Sequence, residues 1–78
     1  MPRYYFNLYN GDATIDDEGS ELSDDQAALA RAVKEARALA ADNVSNGHFT
    51  GRDRIEVTNE ARDVVGSVRF DEAVEIRE

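Results

Sequence analysis

The chain contains no cysteine, so disulfide bonds cannot hold it together. Its 78 residues lie near the lower end of the sizes that fold without disulfides or structural metals. There is room for one domain, residues 1–78, with one small hydrophobic core. Because the absence of cysteine fits a reducing compartment, we expect a cytoplasmic protein.

Long apolar runs are missing as well. The first residues lack the apolar run of roughly 7–15 residues that a secretory signal requires. Nothing later approaches the roughly 18 apolar residues of a membrane-spanning helix. We therefore expect a soluble, unprocessed protein with no membrane partner.

Basic residues are few. Nine Lys and Arg face 17 Asp and Glu, and the net charge of −8 divides into −6 over residues 1–25, +2 over 26–54 and −4 over 55–78. We expect no nucleic-acid partner, because affinity for phosphates depends on clustered Lys and Arg. A basic protein partner would suit this surface better. The simpler explanation is that the acids keep a small domain soluble.

Catalytic and metal-binding patterns are also missing. The one histidine, His48, lies in a predicted loop over Ser45–Asp53 without a second histidine or a cysteine to work with. The acids between Asp12 and Asp25 do not have the alternate spacing of a calcium-binding EF-hand loop, and the sequence leaves cation binding there open. We therefore expect no enzymatic activity, no catalytic residue, no cofactor and no metal site.

What the chain does contain is one long amphipathic helix, predicted from Ser23 to about Asn46. Ser23 and Gln26 form a capping-box pattern at its start, and Gly47 is a natural stop. Eight alanines lie between residues 27 and 41 and would let the helix approach a sheet closely. The predicted buried stripe consists of Leu29, Val33, Ala36, Ala40 and Val44, with Ala32 and Leu39 at its margin.

A β-hairpin is predicted before the helix. The residues Tyr4–Tyr9 alternate between apolar and other side chains, and Asn10-Gly11 suits a two-residue turn. Such a turn would place Leu8 opposite Ala13 and Phe6 opposite Ile15, both on the inward face. The acidic segment Asp16–Glu21, the acidic link, is predicted to be a polar connection into the helix.

Two further strands are predicted after the helix, over Arg54–Thr58 and Val64–Phe70. Gly66 on the inward face would allow close approach of the helix or mark a bulge. Phe49 is predicted to anchor the preceding loop to the core. A helical turn capped by Asp71 would then pack Val74 or Ile76 against the end of the sheet.

Together these elements predict an α+β domain, with a four-stranded, mainly antiparallel sheet and one long helix packed on one face, in the order β-β-α-β-β. The predicted strand order in the sheet is 2-1-3-4, with 2-1-4-3 as the alternative. The predicted core consists of Phe6, Leu8, Ile15, Leu29, Val33, Ile55, Val57, Val68 and Phe70.

Six segments of the sequence, together with the alanine- and arginine-rich helix, carry a family resemblance: Met1-Pro2-Arg3-Tyr4-Tyr5-Phe6, Asn10-Gly11, Asp16-Asp17-Glu18-Gly19, Glu21-Leu22, Arg54-Ile55-Glu56-Val57-Thr58 and Phe70-Asp71-Glu72-Ala73-Val74-Glu75-Ile76. With these features the sequence resembles an uncharacterised family of short, mainly alphaproteobacterial proteins that is catalogued as a domain of unknown function. The resemblance covers nearly the whole chain, and it implies no catalytic or binding residue. A looser, purely topological likeness is to the amino-terminal part of HicB-type antitoxins, although the DNA-binding segment that many of them append is missing here.

With one helix for four strands, the sheet face opposite the helix is the expected binding surface for a protein partner or a second copy of the chain. Its candidate partner-binding residues are Tyr5, Asn7, Tyr9 and Arg69, since tyrosine offers a large apolar area together with a hydroxyl and is enriched in interfaces. The alternative is that the tyrosines pack across strands on a solvated face. The function that we expect is a protein–protein interaction or regulatory module. The alternatives are an antitoxin-like neutraliser of a basic partner, and a small-molecule-binding or enzymatic domain.

Overall fold

The computed structural model describes residues 1–75 and residue 77, and the α+β fold class is confirmed. The predicted packing of Ile76 lies outside the described residues. No helix in the described part of the chain is long and apolar enough to cross a membrane. The elements are strands β1 (Arg3–Tyr9), β2 (Ala13–Thr14) and β3 (Ser20–Glu21), helix α1 (Asp25–Ser45), strands β4 (Arg54–Thr58) and β5 (Val64–Arg69) and helix α2 (Phe70–Ala73).

The sheet is antiparallel throughout, and its main path runs β2-β1-β4-β5. For the four predicted strands this is the order 2-1-3-4, so that prediction is confirmed. The sheet also has a fifth strand that the sequence did not indicate, because β3 pairs Arg3 with Glu21 and Tyr4 with Ser20. Part of the acidic link is therefore a strand on the edge of β1.

The predicted hairpin register is wrong by one residue. Tyr9 pairs with Ala13 and Leu8 with Thr14, so the turn has three residues, Asn10-Gly11-Asp12, with Gly11 at φ 95°. Because side chains alternate along a strand, the extra turn residue exchanges the inward-facing and outward-facing side chains of the second arm. Ile15, which we expected in the core, is 54% exposed.

Helix α1 begins two residues later than predicted. Asp24 is its N-cap and accepts a hydrogen bond from the Ala27 backbone N–H at 2.8 Å, so the predicted cap at Ser23 is wrong. Gly47 adopts φ 93° just beyond the C-terminal end of the helix, which confirms it as the stop. Val44, in the last turn, is 60% exposed and does not belong to the buried stripe.

The buried stripe of α1 is made of alanines rather than of the larger apolar residues. Four alanines at a spacing of four residues are at most 2% exposed, whereas Leu29, Val33 and Leu39 are only partly buried beside them. A methyl side chain is short enough for the helix to lie close to the sheet, so the larger residues are displaced to its flanks. The four alanines are Ala28, Ala32, Ala36 and Ala40.

The rest of the core is close to the prediction. Ile55, Val57, Val68 and Phe70 are buried, while Phe6 and Leu8 are partly buried against them. Gly66 provides the predicted close approach, because a Cβ atom at that position would lie 2.8 Å from Leu29 Cδ2. A register shift between Val57 and Thr58 also places a bulge beside Gly66.

Tyr4 is a core residue that the sequence analysis missed. It is buried, and its hydroxyl donates a hydrogen bond of 2.6 Å to Asp25 Oδ1 in the first turn of α1. This hydrogen bond to Asp25, together with burial, raises the pKa of Tyr4 to about 12. The bond ties β1 to the N-terminal end of the helix.

The loop after α1 and the end of the chain follow the prediction in outline. Phe49 is partly buried against the core and anchors the loop. Helix α2 begins at Phe70, so its cap is Arg69 and not Asp71 as predicted. The Arg69 backbone N–H donates to Glu72 Oε1 at 3.1 Å. Val74 is partly buried against the core.

Candidate partner-binding face

The outer face of the sheet is the one opposite α1. The strand register assigns eight residues to it, and the pairing of β1, β4 and β5 brings them together in rows. Directly paired residues on neighbouring strands share a face, so Tyr9, Arg54 and Arg69 form one row across the sheet. The outer face consists of Tyr5, Asn7, Tyr9, Arg54, Glu56, Thr58, Ser67 and Arg69.

The acidic link covers the middle of this face. Asn7, a candidate partner-binding residue, is only 4% exposed, and its side-chain oxygen accepts a hydrogen bond of 2.9 Å from the Asp16 backbone N–H. Asp16 in turn accepts from the Phe6 backbone N–H through Oδ2 at 3.2 Å. Asn7 therefore holds the link in place and offers no free surface to a partner.

Asp16 completes the edge of β1 between the short strands β2 and β3. Besides the Phe6 N–H, its Oδ1 accepts hydrogen bonds of 3.1 Å from the backbone N–H groups of Glu18 and Gly19. One carboxylate thus satisfies three backbone donors. Burial alone would raise the pKa of Asp16, but these three N–H groups, with the charge of Arg62, lower it below its ordinary value of 3.8.

We expect Asp16→Asn to destabilise the domain by about 2 kcal/mol, because hydrogen bonds to a charged acceptor contribute about 1.5–3 kcal/mol. A lowered pKa in the folded state means that the stabilisation by the carboxylate is present above pH 3.8 and is lost as the pH falls through the lower folded pKa. Urea unfolding as a function of pH measures both effects.

The matched control for this prediction is Asp17→Asn, since Asp17 is exposed and next in sequence. It should leave the free energy of unfolding within about 0.5 kcal/mol of wild type, as expected for a surface substitution. Equal destabilisation by both substitutions would contradict the role of Asp16.

The end of the outer face around Tyr5 is covered by another side chain of the same domain. The guanidinium of Arg62 lies 3.5 Å from the centre of the Tyr5 ring, and its Nη1 donates to the Asp16 carbonyl oxygen at 3.2 Å. Arg62 adopts φ 65°, a left-handed conformation that non-glycine residues rarely accept. Thr58, directly opposite Tyr5, is 4% exposed. Tyr5 thus has a contact within the fold that accounts for its position.

The other end of the outer face is open and carries the Tyr9–Arg54–Arg69 row. Arg54 lies with its guanidinium 4.5 Å from the centre of the Tyr9 ring, a cation–π contact. The Tyr9 hydroxyl donates to Glu56 Oε1 at 3.3 Å. Arg54 and Arg69 are both exposed, and Tyr9 is half-buried. This row is the best candidate site on the outer face.

Of the predicted site residues, the structure brings Tyr9 and Arg69 together and separates them from Tyr5 and Asn7. Arg54, which lies between Tyr9 and Arg69, was missed by the sequence analysis. Its signal was present, because Arg54 is two residues before Glu56 and strand alternation places both on one face. Its place between Tyr9 and Arg69 depends on the pairing of three strands.

Other parts of the surface have fewer features of a binding site than this row. His48 is exposed and lines a shallow, open depression of about 320 Å³ with Val44, Gly47 and Phe49. Among residues 1–75 and 77, no group of three or more His, Cys, Asp or Glu side chains could hold a metal ion. Of the acids of the link, Asp16 makes the backbone contacts described above, and Asp17 and Glu18 are exposed.

The model of a protein family, the domain of unknown function DUF6894, matches residues 3–71. The chain belongs to this family. No curated protein and no solved structure matches the chain. The DUF6894 region includes every element from β1 to the start of α2, and therefore the Tyr9–Arg54–Arg69 row as well as the Asp16 contacts.

Proposed function

We propose that this DUF6894 domain is a non-catalytic protein–protein interaction module of the cytoplasm, and that the Tyr9–Arg54–Arg69 row is the centre of its binding surface. The observation that carries the proposal is the open row of one tyrosine and two arginines on a sheet face that no long helix covers. Tyrosine and arginine are the residue types that contribute most to binding at the centres of interfaces.

The geometry of the row suits this role. The cation–π contact of 4.5 Å orients the Arg54 guanidinium before any partner arrives. A side chain that is already ordered loses less entropy on binding, which favours affinity. Around it, Glu56 and Ser67 provide the polar rim that is usual for interfaces.

The alternative is an antitoxin-like neutraliser of a basic partner, in line with the looser likeness to HicB-type antitoxins. The exposed carboxylates of Asp12, Asp17 and Glu18 favour it, because they follow the edge of β1 on which β2 and β3 pair, in a chain of net charge −8. A basic partner would bind there rather than on the outer face. The two candidates therefore predict different interfaces.

We expect Tyr9→Ser to abolish the capture of a specific partner that wild-type bait recovers from a lysate of the native cell. The substitution removes most of the apolar area of the row and the platform for Arg54. Quantitative mass spectrometry of the captured proteins, with light scattering of the purified domain, measures hetero- and self-association separately.

The matched control is Val44→Ser, which removes an exposed apolar side chain in the last turn of α1, beside the depression at His48. It should leave capture and molecular mass unchanged. If the folded Tyr9→Ser variant keeps every partner and the same mass, the outer face is not the interface. Loss of the partner in Val44→Ser alone would place the interface at the depression.

A further inference from the structure

Two arginines lie side by side at the open end of the outer face, although the chain as a whole is acidic. Arg54 and Arg69 are directly paired across β4 and β5, so their Cβ atoms are about 4.5–5.5 Å apart on one face. Like charges in such a pair repel each other. Asp71 neutralises Arg69, whereas Arg54 has no carboxylate within 4 Å among the described residues and gains most from a bound anion.

The structure also shows how a carboxylate binds at this place. Nε and Nη2 of Arg69 donate to the two carboxylate oxygens of Asp71 at 3.0 and 2.7 Å, a two-pronged ion pair. The side chain of Arg54 stacks on Tyr9 and donates no hydrogen bond to any described residue. Its planar set of donors is thus available to a second carboxylate.

We propose that the Tyr9–Arg54–Arg69 row binds an acidic segment of a partner protein, with one Asp or Glu carboxylate on Arg54 and a second that competes with Asp71 for Arg69. This inference rests on the proposed function, since it names the chemistry of the partner for the same surface. The partner segment is then acidic, although the domain that binds it also carries a net negative charge.

A single-stranded nucleic acid fits the row less well. Base stacking on a sheet needs exposed aromatic rings in a basic groove. Here Arg54 lies over the ring of Tyr9 and Arg62 over the ring of Tyr5. A protein segment with a few carboxylates is therefore the favoured ligand.

The proposal is tested by titrating the ¹⁵N-labelled domain with an acetylated hexaglutamate peptide in about 150 mM salt, which screens the net charge beyond about 8 Å. We expect saturable shifts of the Tyr9, Arg54 and Arg69 amides. Arg54→Gln should weaken binding about threefold and Arg54→Glu about tenfold, as expected for an exposed ion pair that is removed or reversed. Asp71→Asn should strengthen binding about threefold, because it frees Arg69.

Lys34→Glu is the matched control, because it makes the same change of charge on the exposed side of α1. It should bind the peptide within about twofold of wild type. Dispersed amide spectra of every variant show that each one is folded. No saturable shift at the row, or equal affinities of Arg54→Glu and Lys34→Glu, would overturn the proposal.

Two further probes separate this proposal from the proposed function. A hexalysine peptide that shifts residues 12–18 while hexaglutamate is inert would overturn the acidic partner but leave a protein-binding function standing. An oligothymidylate of matching charge that binds the row in an Arg54-dependent way, with hexaglutamate inert, would assign the row to nucleic acid and overturn both. Inert hexalysine and oligothymidylate, with hexaglutamate bound at the row, support both.

Discussion

Phe70→Ala is expected to leave the domain largely unfolded at physiological temperature. Phe70 is 1% exposed and is the largest fully buried side chain, at the point where β5 passes into α2. Removal of a buried phenylalanine ring costs about 3–5 kcal/mol, through lost burial and the cavity that remains. Since a domain of this size has a total stability of roughly 5 kcal/mol or little more, this loss is most of it. Thermal unfolding followed by circular dichroism measures the effect.

Two other alanine substitutions serve for comparison, because both are expected to lower the free energy of unfolding by less than Phe70→Ala does. Phe6→Ala should cost less than Phe70→Ala, because Phe6 is only partly buried. Ile15→Ala should change the free energy of unfolding by no more than about 0.5 kcal/mol, as for other exposed positions. An unchanged melting temperature in Phe70→Ala, or a large fall in Ile15→Ala, would contradict the core described above.

Ala36→Leu should destabilise the domain by about 2–3 kcal/mol, the upper part of the range for overpacked cores. Ala36 is 0% exposed and lies in the alanine stripe by which α1 contacts β4 and β5. A leucine there must push the helix away from the sheet or adopt a strained rotamer. Urea unfolding gives the free energy, and the amide spectrum reports any displacement of the helix.

Ala38→Leu provides the control, since Ala38 is in the same helix and exposed. Leucine and alanine have similar helix propensities, so this substitution should be close to neutral. If Ala36→Leu is also neutral, the helix is not held close to the sheet by its alanines. If both substitutions destabilise equally, the cause lies in the helix itself.

The candidate site was predictable in part. Period-two alternation was enough to place Tyr9 and Arg69 on the face away from the helix. It could not show that Asn7 is covered, because the residue that covers it, Asp16, lies nine positions away and binds through one hydrogen bond. Nor could it show that Arg62 lies over Tyr5, a contact between residues 57 positions apart. Contacts of this kind leave no periodic signal.

By itself, the sequence determined the fold class, the long helix and most of the core, and it left two sheet orders open, of which the structure has 2-1-3-4. These follow from local rules: apolar periodicity, alanine content and the glycine at the end of the helix. Tertiary structure decided the hairpin register, the alanine stripe and the Tyr9–Arg54–Arg69 row. Each of these depends on how closely two elements approach or on which residues of two strands are paired. Such choices are made by packing and hydrogen bonds between distant residues, and a single local pattern allows several of them.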